Sequence, residues 1–340
     1  MIDLNPYLEN YNEKIKLDSS REDTLRTSRD SIGDTIIKFF ENNNKKKPSF
    51  SGQGSFSMKT TINPKDTNDE YDVDFGVYIK AIDVIPEGQE NNQSEWITPT
   101  TVHNWIYEAV KNKTSQLPEN KNKCIRVKYA PGETAYSYHV DLPIYVESNG
   151  KYFLAVKNDN EWVESDPKAI VEWFKNELKE KTEQLRVIVR FLKSWVKLQS
   201  WNCKKPTGLL VTILAVNEFS KQDEGLYDIS LYQTVDNIVK FLEKQIQNSE
   251  YKLINPTAED ENLLSDYSEP ALVEFKEKLS RLFVNIQNAL EAEKNDDAFK
   301  SLKKCFSDIE DIEVTITPDE EKNYIKTSAP AIIGNDGRSA

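Results

Sequence analysis

Three aspartates in this sequence are spaced so that they could bind divalent metal ions. Asp72 and Asp74 lie two apart in the alternating run YDVDFGVYI (71–79), so a strand there puts both carboxylates on one face and apolar residues on the other. Asp141, in the run YSYHVDLPIYV (136–146), likewise opposes an apolar face. Carboxylates on neighbouring strands suit Mg²⁺, which leaves coordination positions for substrate phosphates. An Asp-x-Asp pair also occurs on ordinary solvated strands, and that alternative stays open.

A glycine-serine turn precedes the first of these strands. The stretch FSGQGSFSMKT (50–60) contains two of the chain's 11 glycines, two residues apart, and Gly54 is followed by Ser55. Backbone N–H groups in such a turn, together with a hydroxyl, form a cradle for an anion. Gly54 and Ser55 are therefore candidate phosphate-binding residues.

The composition excludes several classes of protein. A length of 340 residues with 38% hydrophobic residues is enough for one large or two modest domains. The net charge of -13 opposes binding to long nucleic acid or to anionic membranes. No run approaches the roughly 18 apolar residues of a membrane span, and the N-terminus lacks the pattern of an export signal, which favours a cytoplasmic protein. Three separated cysteines and two histidines predict neither disulfides nor a zinc site.

The apolar periodicity divides the chain into three regions. Residues 1–166 begin with a long amphipathic helix over 19–44 and continue with strands and one short helix. Residues 167–317 have helical periodicity almost throughout, and residues 318–340 contain too few periodic apolar residues to fold alone, which predicts a flexible tail. The fold class is therefore α+β with a helical C-terminal lobe. The expected strands cover residues 71–79, 123–130, 136–146 and 150–157.

The order of these motifs resembles the nucleotidyltransferases of the polymerase β superfamily. The segments GQGSF, YDVDFGVYI and YHVDLPIYV, after a long helix and before an all-helical half, are similar to the bacterial cGAS/DncV-like nucleotidyltransferases (CD-NTases) of CBASS anti-phage systems. The resemblance spans nearly the whole chain. It implies a polymerase β-like core, with a mixed sheet on a long spine helix, and an active site in the cleft between the two lobes.

The resemblance also implies roles for individual residues. Asp72, Asp74 and Asp141 would hold two Mg²⁺ ions, or Mn²⁺, and Gly54 and Ser55 would hold the phosphates of a donor nucleotide. Further phosphate and nucleotide contacts are implied at Lys193, Thr207, Ser165 and Asp166.

Two of these further residues have structural alternatives. Lys193 lies in a helix that is otherwise apolar, where a lysine needs a partner or a position at the rim in any case. Thr207 follows Pro206 and fits the N-cap of a helix equally well.

The function that the resemblance implies is the joining of ATP and GTP into a cyclic dinucleotide, closest to cyclic GMP-AMP. This second messenger would activate an effector in anti-phage defence. The tail resembles ends that some such synthases offer to a ubiquitin-like conjugation enzyme, although a frayed terminus without a role fits it as well. Two alternatives remain: an enzyme that makes linear oligonucleotides or modifies RNA or protein, and a non-enzymatic acidic interaction module.

Overall fold

The computed structural model, which describes residues 1–65, 69–131 and 136–310, contains one large mixed sheet and a group of packed helices. The helices are α1 (Asn5–Ile15), α2 (Ser19–Asn42), α3 (Gly54–Met58), α4 (Pro99–Val110), α5 (Pro167–Leu198), α6 (Gly208–Asn217), α7 (Tyr227–Asn248), α8 (Glu269–Leu290) and α9 (Asn295–Cys305). The strands are β1 (Ser49–Gln53), β2 (Tyr71–Ile79), β3 (Glu119–Asn120), β4 (Ile125–Tyr129), β5 (Tyr138–Leu142), β6 (Ile144–Ser148), β7 (Lys151–Val156), β8 (Glu161–Glu164), β9 (Ile254–Asn255) and β10 (Ala258–Asn262).

The large sheet is centred on β2. Its strand order is β3-β4-β5-β2-β6-β7-β8, and β1 also pairs with β2. β5 and β6 both run parallel to β2 and are separated only by Pro143. Tyr71 lies opposite Tyr138 and Ile79 lies opposite Val146, so the register does not change across the proline. The single strand predicted over residues 136–146 is therefore divided into β5 and β6 by a proline, which has no backbone N–H to donate to the sheet. Both parts keep the same alignment with β2.

The long helix α2 covers one face of this sheet. It begins after Asp18, whose side chain accepts a hydrogen bond from the Arg21 backbone N–H at 2.9 Å, as an N-cap should. Its buried residues, including Leu25 and Ile32, pack in one apolar cluster with Val73 and alternate residues of the neighbouring strands. The predicted long helix is confirmed, and its packing leaves the other face of β2 for polar side chains.

The second half of the chain is helical, as predicted, except for the small β9–β10 hairpin. Its apolar cluster also takes in α1, a helix that the periodicity did not reveal. In that cluster the Tyr11 hydroxyl lies 2.7 Å from the Ser194 hydroxyl on α5. The division into regions at residue 167 stays a prediction, and the proposed tail lies outside the described residues. None of the described helices is long and apolar enough to span a membrane.

Candidate active site

The three aspartates lie on one face of the sheet, at its centre. The parallel register of β2 and β5 sets Asp74 directly opposite Asp141 and Asp72 opposite His139. Residues paired in this way point to the same side of a sheet, so all four side chains face away from α2. Asp72 and Asp74 are half-buried and Asp141 is buried. The structure thus brings together the carboxylates that the two sequence motifs singled out.

The carboxylates of Asp72 and Asp74 are electrostatically unfavourable in the metal-free protein. Burial raises the pKa of Asp72, and the negative charge of Asp141 adds to that effect. Burial, followed by the charges of Asp72 and Asp141, raises the pKa of Asp74 to about 7. The positive charges of Arg126 and Lys193 oppose this effect but do not cancel it. Carboxylate oxygens with an incompletely balanced charge suit a hard divalent cation, so the residue types present fit the metal that this kind of fold implies.

This electrostatic cost predicts a pH-dependent effect of Asp74→Asn on stability. Because the folded-state pKa, about 7, lies above the ordinary 3.8, the folded protein binds this proton more tightly than the unfolded chain. The contribution of the protonated Asp74 carboxyl to folding stability is therefore fully present below pH 3.8, and it is lost as the pH rises through about 7. In metal-free buffer we expect the melting temperature of Asp74→Asn to increase relative to that of the wild type as the pH rises from about 5 to about 8.

Thermal unfolding at several pH values checks this expectation. Asp34→Asn, at an exposed position on α2, is the matched control, since it removes the same charge away from the cluster. A difference between Asp74→Asn and wild type that does not change with pH would contradict the burial of charge at Asp74.

The Gly54-Ser55 turn lies against the carboxylates. Gly54 has φ +60°, a left-handed conformation that favours glycine, and a Cβ on it would overlap the Asp74 Oδ2 atom. The Ser55 hydroxyl lies 2.8 Å from the Thr61 hydroxyl. Two features therefore require a glycine at position 54: its backbone conformation and the short distance between the turn and the Asp74 carboxylate.

A buried amide fixes the residue that precedes this turn, and no pattern in the sequence indicates it. Gln53 donates from Nε2 to the Tyr78 hydroxyl at 3.0 Å and accepts from the Tyr145 hydroxyl at 3.3 Å. The two tyrosine rings stack with their centroids 5.0 Å apart. Gly76 leaves room for the amide, since a Cβ there would overlap Gln53. Three elements, β1, β2 and β6, therefore hold the turn in position.

Lys193 approaches the site from α5. Its ammonium donates to the Thr60 hydroxyl at 2.8 Å, and Thr60 itself is completely buried. Burial lowers the pKa of Lys193 to about 8, and the nearby charges of Asp72 and Asp74 oppose that effect. Nothing in the sequence pattern marked Thr60, because its contact with Lys193 joins residues far apart in the chain. The Thr60 hydroxyl and the nearby carboxylates are therefore the partners that Lys193 needs in an otherwise apolar helix.

Ser55, Asp72 and Lys193 line a cavity of about 270 Å³ between the sheet and α5. Gly54, Asp74 and Asp141 lie outside its lining. Its polar walls come from both parts of the chain, and its basic residues suit phosphate groups. The polar and basic residues on its lining are Ser55, Thr60, Thr61, Glu70, Asp72, Lys193, Lys197 and Lys205.

The remaining residues implied by the resemblance lie outside the lining of this cavity. The Thr207 hydroxyl caps α6 by accepting from the Leu210 N–H at 3.2 Å, which is the structural alternative expected for it. Asp166 caps α5 by accepting from the N–H groups of Lys168 and Ala169. The Ser165 backbone N–H donates to the Tyr152 carbonyl at 2.9 Å. Their proposed nucleotide contacts stay predictions.

Lys193→Met is expected to weaken nucleotide binding by roughly tenfold or more, because a lysine facing triphosphate oxygens makes charge-assisted hydrogen bonds. Isothermal titration calorimetry with a nonhydrolysable nucleoside triphosphate and Mg²⁺ measures this. Lys38→Met, at an exposed position on α2, is the control. An unchanged affinity in Lys193→Met would remove this lysine from the phosphate site.

Arg126 forms an ion pair with one of the three aspartates. It lies opposite Asp141 in the antiparallel pair of β4 and β5, with Nε 2.7 Å from Oδ1 and Nη2 2.7 Å from Oδ2. This bidentate pairing with Asp141 raises the pKa of Arg126 above its ordinary value. Two residues along, Lys128 pairs with Glu119 at 2.5 Å.

A mixed sheet backed by a long helix, with aspartates of two parallel strands on its open face beside a glycine-serine turn, defines the polymerase β-like nucleotidyltransferase fold. The family profile described as "Cyclic GMP-AMP synthase DncV-like, nucleotidyltransferase domain" matches residues 48–145, which include the turn and all three aspartates. Over residues 48–145 the chain is similar to the nucleotidyltransferase domain of the cGAS/DncV-like enzymes, and its fold is similar to theirs.

Curated relatives and solved structures agree with this similarity. A cyclic GMP-AMP synthase of Escherichia albertii is 33% identical over 184 residues, 53% of this chain and 39% of that protein. One of Vibrio cholerae is 24% identical over 314 residues, 76% of this chain and 67% of that protein. The chain thus spans well under half of the first relative and about two thirds of the second. The crystal structure of Vibrio cholerae DncV with the linear intermediate 5′ pppA(3′,5′)pG has a TM-score of 0.72 at 17% identity, covering 90% of this chain and 96% of that one.

Proposed function

We propose that this protein joins ATP and GTP into a cyclic dinucleotide of the cyclic GMP-AMP type, with release of pyrophosphate. The observation that carries the proposal is that Asp72, Asp74 and Asp141 share one sheet face and that Asp72 also lines a cavity with Ser55 and Lys193. Carboxylates beside a cavity that presents serine, threonine and lysine side chains suit nucleotidyl transfer with two Mg²⁺, or Mn²⁺, as cofactors. The relatives named above are cyclic GMP-AMP synthases, which supports the choice of product.

The residues divide the work of the reaction between them. Ser55, Lys193 and the Gly54 turn bind the donor triphosphate and orient its α-phosphorus toward the carboxylates. Bound Mg²⁺ would neutralise charge on the attacking and leaving oxygens. Asp141 would join Asp72 and Asp74 at the catalytic metal and would help to remove the proton of the attacking ribose hydroxyl, while the bond to the leaving pyrophosphate breaks. A second transfer closes the ring.

The biological setting follows from the family resemblance. We propose a synthase of an anti-phage system, whose messenger activates an effector and whose tail at 318–340 is available to a ubiquitin-like conjugation enzyme. We also propose that residues 1–166 form the catalytic lobe and 167–317 the helical lobe. Because nucleoside triphosphates are cytoplasmic metabolites, we infer that the enzyme works there.

Incubation with α-³²P-labelled nucleotides tests the proposed reaction. The purified protein is given Mg²⁺ or Mn²⁺ with ATP, GTP, CTP and UTP, singly and in pairs, and the products are treated with phosphatase before chromatography. We expect a phosphatase-resistant product that requires both ATP and GTP.

Other products would change the proposal in defined ways. Labelled oligonucleotides that phosphatase degrades to release their terminal phosphates would indicate a linear synthase. Label that ends only as inorganic phosphate, with both metals and all pairs, would count against the cyclic product.

A further inference from the structure

The ion pair between Arg126 and Asp141 uses both oxygens of the third carboxylate. Two hydrogen bonds of 2.7 Å join the guanidinium to Oδ1 and Oδ2, and little of either side chain is exposed, 21% for Arg126 and 12% for Asp141. Bidentate pairs of this kind are strong because both partners are charged and their geometries match. Asp141 therefore has no oxygen left that is free of this arginine.

The rest of the cluster is not arranged around a metal position. Among residues 1–65, 69–131 and 136–310, no three Asp, Glu, His or Cys side chains are placed so that they could enclose an ion. Asp72 and Asp74 share their strand face with Asp141, and the register brings Asp74 directly opposite it. Of the three carboxylates, Asp141 is the one held by a bidentate pair with Arg126.

We propose that Arg126 is an internal counter-ion, which binds Asp141 in the metal-free protein and gives it up when a divalent cation binds. Asp141 then joins the metal site by exchanging the guanidinium of Arg126 for the divalent metal ion. This inference rests on the proposed function, since it assumes that the three aspartates are metal ligands.

The exchange has a definite energetic consequence. A buried carboxylate without a partner is costly, so Arg126 stabilises the metal-free cluster, and the metal ion must compete with that stabilisation. The affinity for the ion alone is lowered by the free energy of the pair. The displaced guanidinium remains on the same face of β4, beside the carboxylates, where the phosphates of a bound nucleotide can become its new partner.

A neighbouring lysine provides the matched control. Lys128 lies two residues away on β4, on the same face, and its ion pair is with Glu119, which is not one of the three aspartates. Replacing Lys128 by glutamine removes one positive charge from the same region and leaves Asp141 paired. Any general electrostatic effect of a lost charge will be seen in both variants, whereas the exchange concerns Arg126 alone.

Titration with Mn²⁺, followed by the electron paramagnetic resonance signal of the free ion, measures the competition without any turnover. We expect Arg126→Gln to bind Mn²⁺ roughly tenfold more tightly than the wild type, and Lys128→Gln to stay within about twofold of it. Arg126→Lys, which cannot make the bidentate pair, should lie between wild type and Arg126→Gln and serves as a second variant should the glutamine protein fold poorly.

Each outcome bears on a different claim. Equal or weaker Mn²⁺ binding in both Arg126 variants would overturn the exchange while leaving the metal site intact. Tightening of the same size in Lys128→Gln would also overturn it, because charge alone would then account for the result. If neither the wild type nor any variant binds Mn²⁺, with or without a nonhydrolysable nucleoside triphosphate, the proposed function itself loses its metal site.

Discussion

Asparagine in place of Asp72 is expected to reduce nucleotide incorporation by roughly a thousandfold or more, while the protein folds as stably as its parent or more so. The loss follows because a neutral amide supplies neither the charge nor the paired oxygens that a catalytic metal ion requires. The stability follows because the pKa of Asp72 is raised by burial and by Asp141, so removal of its charge relieves a cost of the folded state.

Activity and thermal unfolding measured on the same preparations check this prediction. Asp34→Asn, on the exposed side of α2, controls for the substitution itself and should keep full activity. Full activity of Asp72→Asn would contradict a catalytic role for this carboxylate. If the variant failed to fold, its inactivity would say nothing about metal binding, and the predicted stability would be wrong.

Alanine in place of Gly54 is expected to reduce activity by roughly a hundredfold. Its Cβ would overlap the Asp74 carboxylate and force either the turn or a proposed metal ligand to move, and a shift of about 1 Å in such a site is enough for a loss of this size. The backbone contributes a separate loss of stability, about 1 kcal/mol, because φ +60° is unfavourable for alanine.

Gly150→Ala separates these two effects. Gly150 also has positive φ, +76°, but no atom lies within 4 Å of the position that its Cβ would take. Its alanine variant should therefore lose a similar amount of stability and none of the activity. Equal activity in Gly54→Ala and Gly150→Ala would mean that the close approach of the turn to Asp74 has no catalytic importance.

The parts of the site that could be predicted from sequence are those set by local periodicity. Alternation in the two strands was enough to assign Asp72, Asp74 and Asp141 to polar faces, since side chains in a strand point to opposite sides in turn. The glycine-serine turn could be recognised from Gly54 because few residues tolerate its backbone conformation. Long periodic stretches such as the helix over residues 19–42 were predicted well for the same reason.

The parts that escaped prediction depend on contacts between residues far apart in the chain. The hydrogen bond from Lys193 to Thr60 and the bonds that hold Gln53 join different elements, and no spacing along the chain encodes them. The pairing of Arg126 with Asp141 depends on the register of two strands, which a single sequence does not specify. Helix α1 was missed for a related reason, because the core it completes is built from residues much later in the chain.

The central claim is that this sheet face catalyses attack on the α-phosphorus of a nucleoside triphosphate. Identification of the inorganic product tests it most directly: the wild type and Asp72→Asn are incubated with ATP, GTP and Mg²⁺ or Mn²⁺, and pyrophosphate and orthophosphate are measured separately. We expect one pyrophosphate for each linkage formed by the wild type and none from Asp72→Asn. Release of orthophosphate in place of pyrophosphate, or equal pyrophosphate from both proteins, would contradict it.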